Sequence, residues 1–289
     1  MPIQERFWFR DQVHAHGRPC LDPRNRAFRH GDGLFETILV RHGGAVALEM
    51  HLDRLAAGME VLGFDLEGVG HSKASWRELL GSVVERLTQG QDAAGFGRIR
   101  LTVYRQGEGR YLPQQDGPEL LAEIEALDAD PWTLRPPLHL CIAHSYPIVP
   151  SVLSQVKSLN SLPYVLAARH AAAEGMDDAI LRNPRGEVAE CTASNLFLVI
   201  QNRILTPWLG SGCLPGVMRA RVMEAAKALG WLVQAQPLQL ARLSTASEIF
   251  LTNAIQGLQP VGSITETKYL ARHHPVMSMI RDSLLAEGV

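Results

Sequence analysis

The sequence predicts an α+β protein of two domains, and three observations carry that reading. Apolar residues recur at both strand and helix periods along the 289 residues. An aperiodic stretch at 128–137, with Asp128-Ala-Asp-Pro-Trp132 and Pro136-Pro137, interrupts the pattern near mid-chain. The composition, 46% hydrophobic and 20% charged, suffices for one large or two ordinary cores. The expected organisation is a small N-terminal α+β domain at 1–127, a linker at 128–137 and a larger domain at 138–289.

Residues 35–40 and 45–50 read as strands around an Arg41-His-Gly-Gly44 turn. Residues 51–62 set Leu52, Leu55, Met59 and Leu62 on one helical stripe, and residues 76–87 repeat the pattern with Leu79, Leu80, Val83 and Leu87. Period-two alternation at 98–104 predicts a half-buried strand, with another at 120–124. Past the break, 138–143 reads as a strand and 163–175 as a helix. Strands follow at 179–181, 187–191 and 195–204, joined by Asn183-Pro-Arg-Gly186 and Gln201-Asn202 turns. The strongest helix is 216–229, then come a strand at 249–252 and a final helix at 275–287 that opens on Pro275. No internal repeat or low-complexity tract is present.

With 28 basic against 30 acidic residues the net charge is −2, which gives no field to attract nucleic acid or an anionic membrane. The apolar runs fall well short of the roughly 20 residues that span a bilayer. The segment MPIQERFWFR has no apolar core of the kind a secretory signal needs, so a cytoplasmic protein is expected. Cys20, Cys141, Cys191 and Cys213 form no CxxC pair, which predicts buried or incidental thiols. His273-His274 reads as a solvated turn, and no metal site is expected. Phosphate-loop, HExxH and GxSxG motifs are absent, and the glycines of Gly210-Ser-Gly212-Cys-Leu-Pro-Gly216 are misplaced for a dinucleotide loop.

Four lysines stand against 24 arginines. Guanidinium groups stay protonated and cannot do amine chemistry, so each lysine is a candidate for reactivity. Lys73, Lys227 and Lys268 have ready surface readings. Lys157, in Ser154-Gln-Val-Lys-Ser-Leu-Asn160, lies on a polar segment between a strand and a helix and is either an ordinary lysine there or a partly desolvated amine. Glu190 precedes the polar loop Cys191-Thr-Ala-Ser-Asn195, as a satisfied turn residue or as a carboxylate facing a cationic ring nitrogen. Gly216 opens a helix whose first N–H groups could bind an anion, as any Pro-Gly helix start could.

Six ordered segments join these pieces: His30-Gly-Asp-Gly-Leu-Phe-Glu-Thr37, His51-Leu-Asp-Arg-Leu55, Val156-Lys-Ser-Leu-Asn160, Glu190-Cys-Thr-Ala-Ser-Asn-Leu-Phe197, Leu214-Pro-Gly-Val-Met-Arg219 and Phe250-Leu-Thr-Asn-Ala-Ile255. With them the chain resembles the class IV aminotransferases, fold-type IV enzymes dependent on pyridoxal 5'-phosphate, over nearly its whole length. The resemblance implies a two-domain fold like that of D-amino acid aminotransferase, with a small N-terminal α/β domain and a larger mixed-sheet, barrel-like domain carrying the cofactor lysine. It also implies a homodimer acting on a small-molecule amine, with the active site near the interface and between the domains. Lys157 would then form the Schiff base and shuttle the proton, Glu190 would face the pyridine nitrogen, and Arg54 with the N–H groups of Val217 and Met218 would hold the phosphate. Ser194, Asn195, Gly216, Asn253, Ala254 and Ile255 would complete the cofactor contacts.

Two departures stand out. Relatives often carry a tyrosine where Ser161 stands, a place Tyr164 could fill, and Thr252-Asn253-Ala254 departs from the glycine-threonine pattern of typical aminotransferases. Together with the Glu190-Cys191 pair, this resembles aminodeoxychorismate lyase, an enzyme of folate biosynthesis. The lysine segment is also similar to that of D-amino acid aminotransferases, and a D-amino acid or branched-chain transaminase is the alternative, a non-catalytic relative the third reading. Phe35, Glu36, Arg110 and Tyr164 are the expected substrate-side residues, with Phe35 equally readable as a packed aromatic. Arg110 would bind a carboxylate, although Leu112 stands where D-amino acid enzymes place a histidine.

Overall fold

A computed structural model describes residues 3–9, 11–14, 21–267 and 269–286. Cys20, Lys268, Glu287 and part of the segment MPIQERFWFR lie outside the described residues. The chain forms two compact units, Met1–Pro131 with Val156–Asn160, and Trp132–Gln155 with Ser161–Val289. The sequence reading put Lys157 in the C-terminal domain, whereas the short segment that carries it belongs to the first unit.

The first unit runs β1 (Arg6–Phe9), β2 (Gln12–His14), α1 (Arg26–His30), β3 (Gly33–Arg41), β4 (Gly44–Ala45), α2 (Leu48–Val61), α3 (Lys73–Thr88), β5 (Phe96–Arg105) and β6 (Pro118–Leu127). Its sheet has the order β2-β1-β6-β5-β3-β4 and is antiparallel throughout. Alternate residues of the central strands, Leu34, Ile38, Ile99, Leu101, Val103 and Ile124, face one way. They pack against Leu52, Leu55 and Met59 of α2 and Trp76, Leu80, Val83 and Leu87 of α3. The strand expected at 45–50 is only two residues long. Ala47 turns the chain in the left-handed region, and α2 begins at Leu48 because Leu48, Leu52 and Leu55 already share the helical stripe. A reciprocal Ser72–Ser75 capping box starts α3.

The second unit runs β7 (Leu138–Ala143), α4 (Leu162–Ala173), β8 (Asp178–Arg182), β9 (Val188–Cys191), β10 (Asn195–Ile200), β11 (Arg203–Pro207), α5 (Val217–Ala228), β12 (Leu232–Gln236), β13 (Glu248–Asn253), β14 (Gly257–Ile264) and α6 (Pro275–Ala286). Its mixed sheet has the order β12-β11-β10-β13-β14-β7-β8-β9. The amide of Val188 donates to the Leu238 carbonyl at 2.7 Å and Glu187 bridges Gln239, so one edge strand reaches the chain just past the other and the sheet curls toward a barrel. β10, β13 and β14 are buried on both faces, which the apolar runs 196–200 of β10 and 249–251 of β13 reflect. Small residues Ala167 and Ala171 let α4 lie close on β7 and β8. Cys141, Cys191 and Cys213 are buried and unbridged. Among the described residues no helix is long and apolar enough to cross a membrane, and no group of side chains suits a metal ion. His274, expected in a solvated turn, is buried, with neither ring nitrogen hydrogen-bonded.

Candidate active site

In the first unit, residues 156–160 lie along the start of β3. The Phe35 amide donates to the Lys157 carbonyl at 2.9 Å and the Leu159 amide to the Gly33 carbonyl at 2.9 Å, with Leu34 opposite Ser158. The Lys157 backbone is therefore held as a short added strand on a rigid sheet, the placement a precisely aimed amine needs. Its Nζ lies 4.4 Å from the Phe35 ring centroid, and the Arg100 guanidinium carbon lies 3.9 Å from the same centroid. Phe35 is thus a platform for two cations as well as a packed aromatic.

Neighbouring strand residues face opposite sides, so Phe35 and Glu36 cannot both line one surface. Glu36 turns inward, fully buried, and this corrects its assignment to the substrate side. Its carboxylate accepts from Arg54 Nε at 2.8 Å and Nη2 at 2.6 Å, and lies 2.7 Å from His51 Nδ1. Burial alone would raise the Glu36 pKa, but the Arg54 charge, with hydrogen bonds from Arg54 and His51, outweighs it and holds the carboxyl at about 2. Arg54 is consequently pinned in one orientation by an ionised partner. His51 and Arg54, three apart on α2, share a face, a pairing the spacing of the His51-Leu-Asp-Arg54 segment could have disclosed.

In the second unit, β9 buries Glu190 in a polar knot. Tyr164 Oη donates to Glu190 Oε1 at 2.8 Å, while Oε2 accepts from Asn195 Nδ2 at 3.2 Å and from the Leu214 amide at 3.0 Å. These three donors are neutral. Burial first, and the adjacent Glu190 charge second, push the Tyr164 hydroxyl far above its ordinary pKa, so it stays a donor. That bond to Glu190 differs from the expectation that Tyr164 fills the role of the tyrosine missing at Ser161. Asn195 Nδ2 also donates to the Leu214 carbonyl at 3.0 Å, tying β10 to the turn before α5.

The start of α5 has no side-chain cap, so its leading N–H groups, including those of Val217 and Met218, remain for an anion. Only glycine fits before it: a Cβ on Gly216 would come within 1.9 Å of Asn195 Oδ1. The second expected phosphate loop is built differently. Asn253 Nδ2 donates to Ser194 Oγ at 3.1 Å, while Asn253 Oδ1 accepts from the amides of Ile255 at 3.0 Å and Gln256 at 2.7 Å. The Ile255 amide is therefore engaged within its own turn, which leaves Ala254 as the candidate donor. The Thr252 hydroxyl beside it is buried without a partner. An uncapped helix start on a glycine-only cradle and a buried carboxylate among neutral donors together fit a phosphorylated, cationic-ring cofactor.

Residues 33–264 match the amino-transferase class IV family. The chain belongs to the class IV aminotransferases. It is 27% identical to an aminodeoxychorismate lyase of Vibrio harveyi, covering 83% of this chain and 86% of that one. It is 31% identical to a putative branched-chain-amino-acid aminotransferase of Methanocaldococcus jannaschii, with coverages of 81% and 79%. Among solved structures, a putative 4-amino-4-deoxychorismate lyase of Legionella pneumophila superposes with a TM-score of 0.78 at 28% identity, over 94% of this chain and 96% of that one. The fold is that of the fold-type IV enzymes, and this class IV aminotransferase is an enzyme whose cofactor is pyridoxal 5'-phosphate. Sequence reasoning assigned no role to Asp32, which falls in the 30–37 segment, or to Arg26 and Arg105, two buried arginines of the first unit that it joins, because the three meet only in the folded unit.

Proposed function

We propose that this class IV aminotransferase is a 4-amino-4-deoxychorismate lyase, which splits its substrate into 4-aminobenzoate and pyruvate and so serves folate synthesis. The observation that carries the reading is the Asn253 turn. Its side chain takes up the Ile255 and Gln256 amides at the place where aminotransferases resemble a glycine-threonine pattern, and the two lyase relatives add weight to it.

In this reading Arg54 and the α5 amides bind the phosphate, with Glu36 and His51 fixing the Arg54 fork. Glu190 holds the ring nitrogen protonated, supported by Tyr164, Asn195 and the Leu214 amide. Bound pyridoxal phosphate supplies an electron sink next to the substrate amine. Lys157 Nζ removes the proton from the amine-bearing ring carbon, the carbon–oxygen bond to the pyruvyl group breaks, and the ring becomes aromatic. No amino acceptor is consumed. Phe35 and Arg110 belong to the substrate side, Arg110 as a partner for a carboxylate. We further infer a cytoplasmic protein that is a homodimer; light scattering on the purified protein tests the dimer.

The protein incubated with 4-amino-4-deoxychorismate and no keto acid should release 4-aminobenzoate and pyruvate in equal amounts. Absence of both, with bleaching of the visible cofactor band by one amino acid of an L- and D-panel and its return with a keto acid, overturns the lyase in favour of a transaminase. That second reading has the similarity of the Val156-Lys-Ser-Leu-Asn160 segment to D-amino acid enzymes and the 31% identical relative behind it.

A further inference from the structure

The tip of the loop between β5 and β6, residues 106–117, presents the side chains of residues 110–112 outward while its carbonyls turn toward Arg26. Arg110 is exposed, and Tyr111 and Leu112 are 92% and 83% exposed. Their main chain is nonetheless held from behind by one side chain. Arg26, only 3% exposed, sends Nη1 to the carbonyls of Gly109 at 3.4 Å and Arg110 at 2.8 Å, and Nη2 to the carbonyl of Tyr111 at 3.4 Å. Its Nε is fixed by Asp32 Oδ2 at 2.8 Å. The same carboxylate holds Arg105, whose Nη1 reaches Asp116 Oδ1 at 2.6 Å and the Gly63 carbonyl at 3.2 Å. Asp32 thus joins two buried arginines, one on the base of the loop and one on its tip.

This is an expensive device for an ordinary connection. Burying two guanidinium groups costs desolvation that a surface turn does not need, and three consecutive carbonyls on one planar fork fix where the intervening side chains point. The tip has no helix or strand of its own; apart from the Gln114 amide, which donates to the Glu108 carbonyl at 3.1 Å across it, the fork is what ties the Arg110 backbone to the rest of the unit. The outer ion pair of Arg24 with Glu108, 2.7 Å apart and half exposed on both sides, contributes little by comparison.

We propose that Arg26, anchored by Asp32, is a positioning residue that sets the 109–111 tip so that Arg110 is presented to a carboxylate of the substrate. The last step rests on the functional reading above; the positioning itself does not. Arg26 touches no reacting atom, and its contribution is to KM rather than to bond breaking. Asp32 keeps Arg105 as a partner when Arg26 is replaced, so the partly exposed carboxylate is not orphaned and the fold survives the change.

Trypsin supplies a test independent of activity, because cleavage after an exposed arginine such as Arg110 quickens as the tip gains freedom to enter the protease. The full-length holoenzyme is digested as wild type, Arg26→Ala, Arg26→Lys and Arg24→Ala. Arg26→Lys keeps the charge toward Asp32 but loses the fork. Both Arg26 variants should be nicked between Arg110 and Tyr111 faster by on the order of tenfold or more, with melting behaviour near wild type, and Arg24→Ala should match wild type. Equal nicking of Arg26→Lys and wild type overturns the positioning role, as does cleavage of the Arg26 variants at many sites at once. With 4-amino-4-deoxychorismate as the probe, the Arg26 variants should raise KM by on the order of tenfold while kcat holds within about twofold. Fast nicking with unchanged KM would leave the loop anchored by Arg26 but refute its presentation of Arg110 to substrate. Absence of turnover in the wild type would refute the functional reading alone, with the proteolysis result standing.

Discussion

Replacing Glu36 by glutamine removes one negative charge from a fully buried site and leaves the shape almost unchanged. In the native protein this carboxyl titrates at about 2 against an ordinary value of 4.5, because Arg54 and His51 overcome the cost of its burial. At about 1.4 kcal/mol per unit the difference corresponds to about 3 kcal/mol of folding stability at neutral pH. The folded-state pKa is depressed, so the contribution is complete well above pH 4.5, shrinks to about half by pH 3 and vanishes below about 2. The same figure matches what breaking a buried ion pair costs when one partner stays behind, about 3–5 kcal/mol. Glu36→Gln should therefore lose about 3 kcal/mol in urea unfolding at pH 7, with the gap to wild type narrowing as the pH is lowered toward 3. It should also weaken phosphate-dependent binding of the cofactor, because Arg54 loses the partner that orients it. A loss below about 0.5 kcal/mol, within the range of ordinary surface substitutions, or a gap independent of pH, would refute the claim that Glu36 is an ionised strut.

Three further outcomes follow from the second unit. Tyr164→Phe deletes one donor to Glu190 and should cost about 1–3 kcal/mol; because burial keeps the hydroxyl neutral, wild-type activity should show no alkaline limb assignable to it, which a pH profile of both proteins checks. Gly216→Ala forces Asn195 aside, so equilibrium dialysis should show weaker cofactor binding, at least about tenfold, together with loss of the Asn195 bonds to Glu190 and Leu214. Burial, with His273 nearby, lowers the pKa of His274. Stability owed to its neutral form is present above pH 6.5 and lost as the pH falls from there through the lowered value; unfolding midpoints of His274→Gln should lack that acid loss.

Much of this fold was legible because its signals are local. The helices α5 and α6 follow apolar residues from Pro-Gly and Pro starts, α3 shows its stripe from Trp76 although the helix begins at Lys73, and β5 follows alternation. The short β1, β2 and α1 were not, since three to five residues carry too little periodicity to read. The strand predicted at 45–50 failed where one left-handed residue, Ala47, converted an apolar run into the first turn of α2. Of the proposed site residues, Lys157, Glu190 and Arg54 were singled out through motifs, because each occupies a fixed place in a short segment. The partners of those residues were hidden, since Tyr164 and Glu190 are 26 positions apart, and Arg26 meets its loop 83 to 85 positions away. Glu36 was misassigned for a simpler reason: it neighbours Phe35 in sequence, and a strand sends neighbours to opposite faces.

The claim on which the account turns is that Lys157 is the amine that holds the cofactor. Borohydride reduction of the holoenzyme, followed by proteolysis and mass spectrometry, should leave a phosphopyridoxyl group on the peptide containing Lys157, with none on Lys73, Lys227 or Lys268, and Lys157→Ala should carry no adduct. A phosphopyridoxyl group on any other lysine, or none on a protein saturated with pyridoxal phosphate, would contradict it.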